Sequence, residues 1–158
     1  WSFQCIWVND RMNGKRTDTS PKGEVSYAEC HNSAGNGFAT VNYSNGDRFE
    51  GEYKDDVRNG YGVYSYADGS RHEGNFVNGQ LTGFGIYSFA DGRYYIGNFH
   101  DNEYHGHGRF QFANNSGFYD GEYRHGKRCG FGIEVKSGAK NNLFFSEWKN
   151  GKQHGYGH

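Results

Sequence analysis

The stretch of sequence that decides the fold runs from Phe49 to Gly69. It holds an aromatic-x-Gly-x-aromatic element, Phe49-Glu50-Gly51-Glu52-Tyr53, then Gly60-Tyr61-Gly62, then Asp68-Gly69. The same three elements return 23 residues later, where the anchor glycine is Gly74. Self-similarity at a fixed short period indicates a repeat architecture, in which each copy is one supersecondary unit.

Three further copies follow, with anchors at Gly97, Gly121 and Ser146. An incomplete copy, Phe3-x-Cys5-x-Trp7, opens the chain, and the only proline, Pro21, lies in an irregular stretch behind it. The sequence predicts a single repeat array over residues 1–158. Its predicted parts are a partial repeat at 1–16, a diverged repeat with an inserted loop at 17–46, repeats at 47–69, 70–92, 93–117 and 118–142, and a partial repeat at 143–158.

Each repeat carries the pattern of a β-hairpin. In residues 47–54 charged side chains alternate with rings or glycine, the period of two that is typical of a strand. Asn, Asp and Gly fill both connections, and these residues tolerate the positive φ of tight turns. A turn from Asp55 to Arg58 predicts four pairs: Lys54 with Asn59, Tyr53 with Gly60, Gly51 with Gly62, and Phe49 with Tyr64.

This register sorts the side chains onto two faces. One face collects the rings together with the glycines, and the other collects charged residues with Tyr61 and Val63. Glycine has no side chain, so a neighbouring ring can lie flat against the backbone at that position. We therefore expect a single sheet that buries its rings without a second layer.

Composition excludes several classes of protein. Aromatic residues make up 18% of the chain, and 26 glycines stand too close together for long helices. The net charge of −1 is far from the basic excess of a nucleic-acid binder, so we expect no nucleic acid. No apolar run is long enough to span a bilayer. Three widely spaced cysteines favour a reducing compartment, and hence a cytoplasmic location.

These elements resemble the MORN (membrane occupation and recognition nexus) repeat, strongly over residues 47–157 and weakly before them. Cys5 and Ser146 in place of the anchor glycine, and His72 in place of the leading ring, depart from the pattern. The resemblance implies an all-β fold: an elongated, twisted, single-layer antiparallel meander of hairpins with a groove on one face. It also implies a scaffold that binds partner segments or phospholipid, at the cytoskeleton or a membrane.

Catalytic, cofactor and metal sites are not predicted. Gly60-Tyr61-Gly62 lacks the third glycine and the helix of a nucleotide-binding loop. His105, Cys129 and His154 share one repeat position, but equivalent positions on successive hairpins lie about 9.5 Å apart, too far for a shared zinc ion. His107 stands where other repeats have Tyr61, Phe84, Phe131 and Tyr156, so we interpret it as a member of an aromatic column.

The aromatic face is the candidate site. We expect a helical or extended protein segment to bind along it, contacting Phe49, Tyr53, Tyr64, Phe76, Tyr87, Tyr95, Phe99, Phe110, Tyr119 and Tyr123. The second hypothesis is a membrane-surface module that uses basic residues between Arg124 and Lys152 to bind anionic lipid. The third is a repeat domain that regulates an enzyme located elsewhere in a longer chain. Terminal strands with free edges also predict self-association.

Overall fold

The computed structural model describes residues 6–8, 11–19, 25–33, 36–55, 57–137 and 142–154. The chain divides into two compact units, residues 1–80 and 81–158. Within the described residues, the only helical element is a 3-10 turn at Ala113–Asn115. The partial motif at Phe3 to Cys5, Pro21 and the pair Gly155 and Gly157 lie outside the described residues.

Unit 1 is an antiparallel meander in which each strand pairs with the next one along the chain. Its strands are β1 (Ile6–Val8), β2 (Arg11–Thr19), β3 (Val25–Ser33), β4 (Asn36–Asn42), β5 (Arg48–Lys54), β6 (Val57–Ser65) and β7 (Arg71–Val77). Strands β3 and β4 lie in the stretch predicted to be a diverged repeat, and β2 begins before that stretch and ends inside it.

Unit 2 has the same construction, again with each strand antiparallel to the next. Its strands are β8 (Gln80–Ser88), β9 (Tyr94–His100), β10 (Glu103–Gln111), β11 (Gly117–Arg124), β12 (Lys127–Lys136), β13 (Asn142–Lys149) and β14 (Lys152–His154). The predicted all-β class and single-layer hairpin meander are thus confirmed within each unit.

The turns follow from residues that tolerate positive φ. In the turn after β11, φ is 49° at His125 and 72° at Gly126, the signature of a two-residue hairpin turn. Asn150 and Gly151 repeat it with values of 51° and 78°. In the opposite connections, the backbone N–H of Gly69 donates to the carbonyl of Tyr66 at 3.0 Å. The turns predicted from Asn, Asp and Gly are confirmed.

The register of the β5–β6 hairpin is partly as predicted. Gly51 pairs with Gly62, and Phe49 pairs with Tyr64. The predicted pairs of Tyr53 with Gly60 and Lys54 with Asn59 are wrong: Tyr53 pairs with Arg58, and Lys54 with Val57. A bulge at the first glycine of the Gly-x-Gly element absorbs the difference, and Gly60 has a φ of 109° there.

Gly51, Gly62, Phe49 and Tyr64 keep their predicted face, because the bulge lies between them and the turn. In each unit we name the side of the sheet that carries the buried rings the inner face, and the opposite side the outer face. The buried side chains of the inner faces include Phe49 and Phe76 in unit 1, and Tyr95, Phe99, Tyr119, Tyr123 and Trp148 in unit 2.

Candidate functional site

The inner face of unit 1 is built on a floor of two glycines. Gly51 and Gly62 are buried partners in the register, and the ring of Phe49 lies over them. A Cβ atom added at Gly51 would lie 2.7 Å from Cζ of Phe49 and 2.6 Å from the Gly62 Cα. Only glycine therefore allows this ring to lie flat on the strands.

Other side chains enclose the Phe49 ring. Tyr53 and Phe76 meet it edge to face, with ring centroids 5.4 and 5.2 Å away. The guanidinium carbon of Arg58 lies 5.5 Å from its centroid. Phe49 consequently has no solvent exposure, although the unit has one layer.

Unit 2 contains the same arrangement at Tyr95. Its ring covers Gly97 and Gly108, and its hydroxyl donates to the carbonyl of Asn98 at 2.9 Å. Tyr104 stacks on the other side of the ring, with centroids 3.9 Å apart.

Tyr119 repeats the arrangement in the next hairpin. Its ring lies over Gly121 and Gly132, and Arg128 lies above it at 4.3 Å. Burial raises the pKa of Tyr119 to about 12, so this ring is neutral at physiological pH. The sandwich of glycine pair, ring and covering side chain is therefore a repeated device.

Six of the ten predicted site residues are buried by their own chain. These are Phe49, Phe76, Tyr95, Phe99, Tyr119 and Tyr123. We name these six buried rings the lower ring layer, and a partner could reach them only after neighbouring side chains moved.

The other four, Tyr53, Tyr64, Tyr87 and Phe110, are partly exposed, and we name them the upper ring layer. Tyr64 lies on the inner face of unit 1, where its hydroxyl donates to Asp47 at 2.8 Å. In unit 2, Phe89 lies between Tyr87 and Phe110, with centroid distances of 4.4 and 5.7 Å. Tyr53 and Tyr64 thus both contact the ring of Phe49 in unit 1, at 5.4 and 6.3 Å, and Tyr87 and Phe110 both contact Phe89 in unit 2.

The outer faces carry exposed rings that were not predicted as site residues. Phe84 is 60% exposed and Phe131 61% exposed. Phe131 stacks on Phe145 with centroids 5.6 Å apart and planes inclined by 5°. His107 is exposed on the same outer face, beside Asp120. The signal was present in the sequence, because the middle residue of the Gly-x-Gly element is aromatic in four of five copies.

A basic cavity opens at the hairpin ends of unit 2. Its volume is about 520 Å³. Four cationic side chains and one acid contribute to its lining: Arg124, Lys127, Arg128, Lys149 and Glu122. Trp148 also lines it, and its indole N–H has no hydrogen-bond partner among the described residues.

Histidines come together at the same end of unit 2. The ring of His105 lies 5.5 Å from His100 and 5.7 Å from His125, which contacts Glu103 at 3.2 Å. Among the described residues, no group of three or more His, Cys, Asp or Glu is arranged to hold a metal ion. Nor does that part of the chain contain a helix with the length and hydropathy needed to cross a membrane.

Comparison with known proteins identifies the repeat. The family model described as MORN repeat matches five times, at residues 49–71, 72–92, 95–117, 119–137 and 144–158, which together are more than half of the chain. The search of individual curated proteins gave no match. MORN repeats are generally protein- or membrane-interaction repeats and are typically non-catalytic. The chain belongs to the MORN repeat family.

Proposed function

We propose that this chain is a non-catalytic scaffold that binds a helical or extended segment of a protein partner on its inner faces. The observation that carries the proposal is the upper ring layer. Tyr53 and Tyr64 in unit 1, and Tyr87 and Phe110 in unit 2, are partly exposed above rings that are buried.

The lower layer explains why these rings suit an interface. The fully buried Tyr95 has two register partners: Tyr87 on the preceding strand and Phe110 on the following one. Rings held in this way lose little conformational entropy on binding, and aromatic residues are enriched among interface anchors. A segment with apolar residues spaced along one side could place them between these rings.

The test compares the two faces of unit 2. Tyr87→Ala with Phe110→Ala removes two upper-layer rings, and Phe84→Ser with Phe131→Ser removes two exposed outer-face rings. Partners that co-purify with the wild-type protein from its native source would be titrated against each variant, with thermal unfolding as the folding control. We expect the inner-face variant to weaken binding by at least about tenfold, which corresponds to about 1.4 kcal/mol.

The outer-face variant is the matched control, and it should bind as the wild type does. Undiminished binding by a folded inner-face variant would refute the proposal. Loss of binding in the outer-face variant alone would move the interface to the opposite side of the sheet.

A second candidate function, binding to an anionic membrane surface, is favoured by the outer face of unit 2. Phe131, Leu143 and Phe145 are exposed there. The outer-face side chains Lys127 and Lys149 line the basic cavity at the hairpin ends beyond Phe131. Each basic group near an anionic surface contributes about 1 kcal/mol, and the exposed rings supply an apolar contact.

Sedimentation with vesicles separates this candidate from the scaffold. If it is correct, binding to vesicles that contain phosphatidylserine should fall at high salt and in the variant Lys127→Glu with Lys149→Glu. Vesicles of phosphatidylcholine alone are the control. Equal sedimentation with both kinds of vesicle, or none with either, would exclude this function.

A further inference from the structure

One repeat position, two residues before the Gly-x-Gly element, supplies the side chain that covers the flat ring in three sandwiches. It is occupied in successive repeats by Arg58, Leu81, Tyr104, Arg128 and Gln153. Leu81 is fully buried and Tyr104 stacks on Tyr95, so uncharged side chains fill this position inside the fold. A positive charge there is therefore not a requirement of the sheet.

In unit 2 the covering arginine has a carboxylate of its own chain. Arg128 lies 3.5 Å from Oε1 of Glu134, and only 21% of its side chain is exposed. Glu134 pairs with Tyr119, the ring that Arg128 covers. The repeat thus brings ring, guanidinium and carboxylate together on the inner face.

In unit 1 the residue in the place of Glu134 is Tyr64, which pairs with Phe49. The Tyr64 phenol is uncharged, and its hydroxyl donates to Asp47. Among the residues that the structure describes, no carboxylate forms an ion pair with Arg58. The position that a carboxylate fills beside Arg128 is therefore filled by a neutral phenol beside Arg58.

The guanidinium of Arg58 rests on aromatic rings. Its carbon lies 5.1 Å from the centroid of Tyr64 and 5.7 Å from that of Phe76, and the residue is partly exposed. Rings hold a guanidinium by cation–π attraction but accept none of its in-plane N–H donors. Two of those donors match the two oxygens of a carboxylate.

We propose that Arg58 binds a carboxylate of the partner segment, so that the segment carries an acidic side chain beside the apolar residues that meet Tyr53 and Tyr64. This inference rests on the proposed scaffold function and specifies the partner's chemistry at unit 1. The bound carboxylate forms an ion pair with Arg58, as Glu134 does with Arg128.

The test uses a display library of one amphipathic helical peptide, with randomised residues beside its apolar stripe, selected on the whole chain. Enriched peptides that lose binding to Tyr64→Ala are resynthesised with the acidic residue changed to its amide. We expect this change to weaken binding by about tenfold or more for the wild type, since hydrogen bonds between two charged groups are stronger than those to a neutral amide. The change should have no effect on Kd for Arg58→Leu, which imitates Leu81.

Arg71→Leu is the matched control, because it removes the same charge from the outer face of unit 1, where Arg71 contacts Glu73 at 3.1 Å. It should keep the wild-type preference for the acidic peptide. An equal effect of the amide peptide on wild type and Arg58→Leu, or selected peptides without acidic residues, would overturn the inference and leave the scaffold intact. Failure to enrich any peptide that depends on Tyr64 would contradict both. The comparison of acidic and amide peptides on the wild-type protein changes only the peptide, so it does not depend on whether the Arg58→Leu variant folds.

Discussion

The ring of Tyr104 lies parallel to the ring of Tyr95, with centroids 3.9 Å apart and planes inclined by 16°. On its other side, Tyr95 covers the buried pair Gly97 and Gly108. A ring enclosed between bare backbone and a second side chain is fully buried in a sheet of one layer. This arrangement replaces the second layer that most sheets need.

The first prediction concerns the covering residue Tyr104. Tyr104→Ala should expose Tyr95 to solvent and lower the free energy of unfolding by about 3 kcal/mol, as other large-to-small substitutions of packed side chains do. Tyr104→Leu should lose only about 1 kcal/mol, since leucine still covers the ring but loses the aromatic stacking. Urea unfolding measures both. Equal losses for the two variants would show that Tyr104 is not a cover.

The second prediction concerns the glycine floor. A Cβ atom at Gly97 would lie 2.7 Å from the Tyr95 hydroxyl oxygen and as close to the carbonyl of His107. Gly97→Ala should therefore lower the free energy of unfolding by about 3 kcal/mol, the upper range for overpacking. The control is Gly92→Ala in a turn, where a Cβ meets nothing within 4 Å and only the φ of 86° costs about 1 kcal/mol. If Gly97→Ala lowered the free energy of unfolding less than Gly92→Ala, the Tyr95 ring would not need glycine beneath it.

The third prediction is a matched pair of tyrosines. The Tyr95 hydroxyl has a backbone acceptor, the carbonyl of Asn98, at 2.9 Å. The buried hydroxyl of Tyr123 makes no hydrogen bond of good geometry among the described residues, although the Arg128 guanidinium acts on it electrostatically. Tyr95→Phe should cost about 1 kcal/mol, whereas Tyr123→Phe should be neutral or stabilising, because it removes an unsatisfied polar group. The opposite order in urea unfolding would contradict the assignment.

The fourth prediction is a pH dependence of stability at His72. Burial, and secondly the charge of Arg58, lower the pKa of His72 from 6.5 to about 4. The unfolded chain then binds a proton more readily than the folded one, so this contribution to stability is lost as the pH falls from about 6.5 to about 4. His72→Phe should show a shallower decline over that range. The same slope in both proteins would mean that His72 is accessible and unshifted.

Most of the fold could be predicted from Gly, Asn and Asp, because these residues mark where the backbone turns or where a ring packs against it. Gly51 opposite Gly62 indicated the faces of the β5–β6 hairpin, and Asn150 with Gly151 indicated the turn after β13. The bulge at Gly60 could not be predicted, because a glycine that supplies floor space and a glycine that supplies positive φ look alike in a sequence. The pairing of Tyr53 was therefore misplaced.

The candidate site was harder to predict than the fold. Alternation assigned Phe49 and Tyr64 to the same face, but it does not report which of two neighbouring rings lies against the backbone. Burial separates them: Phe49 is enclosed and Tyr64 is partly exposed. The register placed Tyr61, the equivalent of Phe131, on the charged face, but alternation does not report how far a ring on that face is exposed.

The central claim is that a partner covers the inner face of the sheet. Methyl and aromatic NMR of the labelled chain, with and without a co-purified partner segment, tests it most directly. The account predicts that the ring signals of Tyr53, Tyr64, Tyr87 and Phe110 shift on binding while those of Phe84, Phe131 and Phe145 stay in place. Shifts confined to the outer-face rings would contradict it.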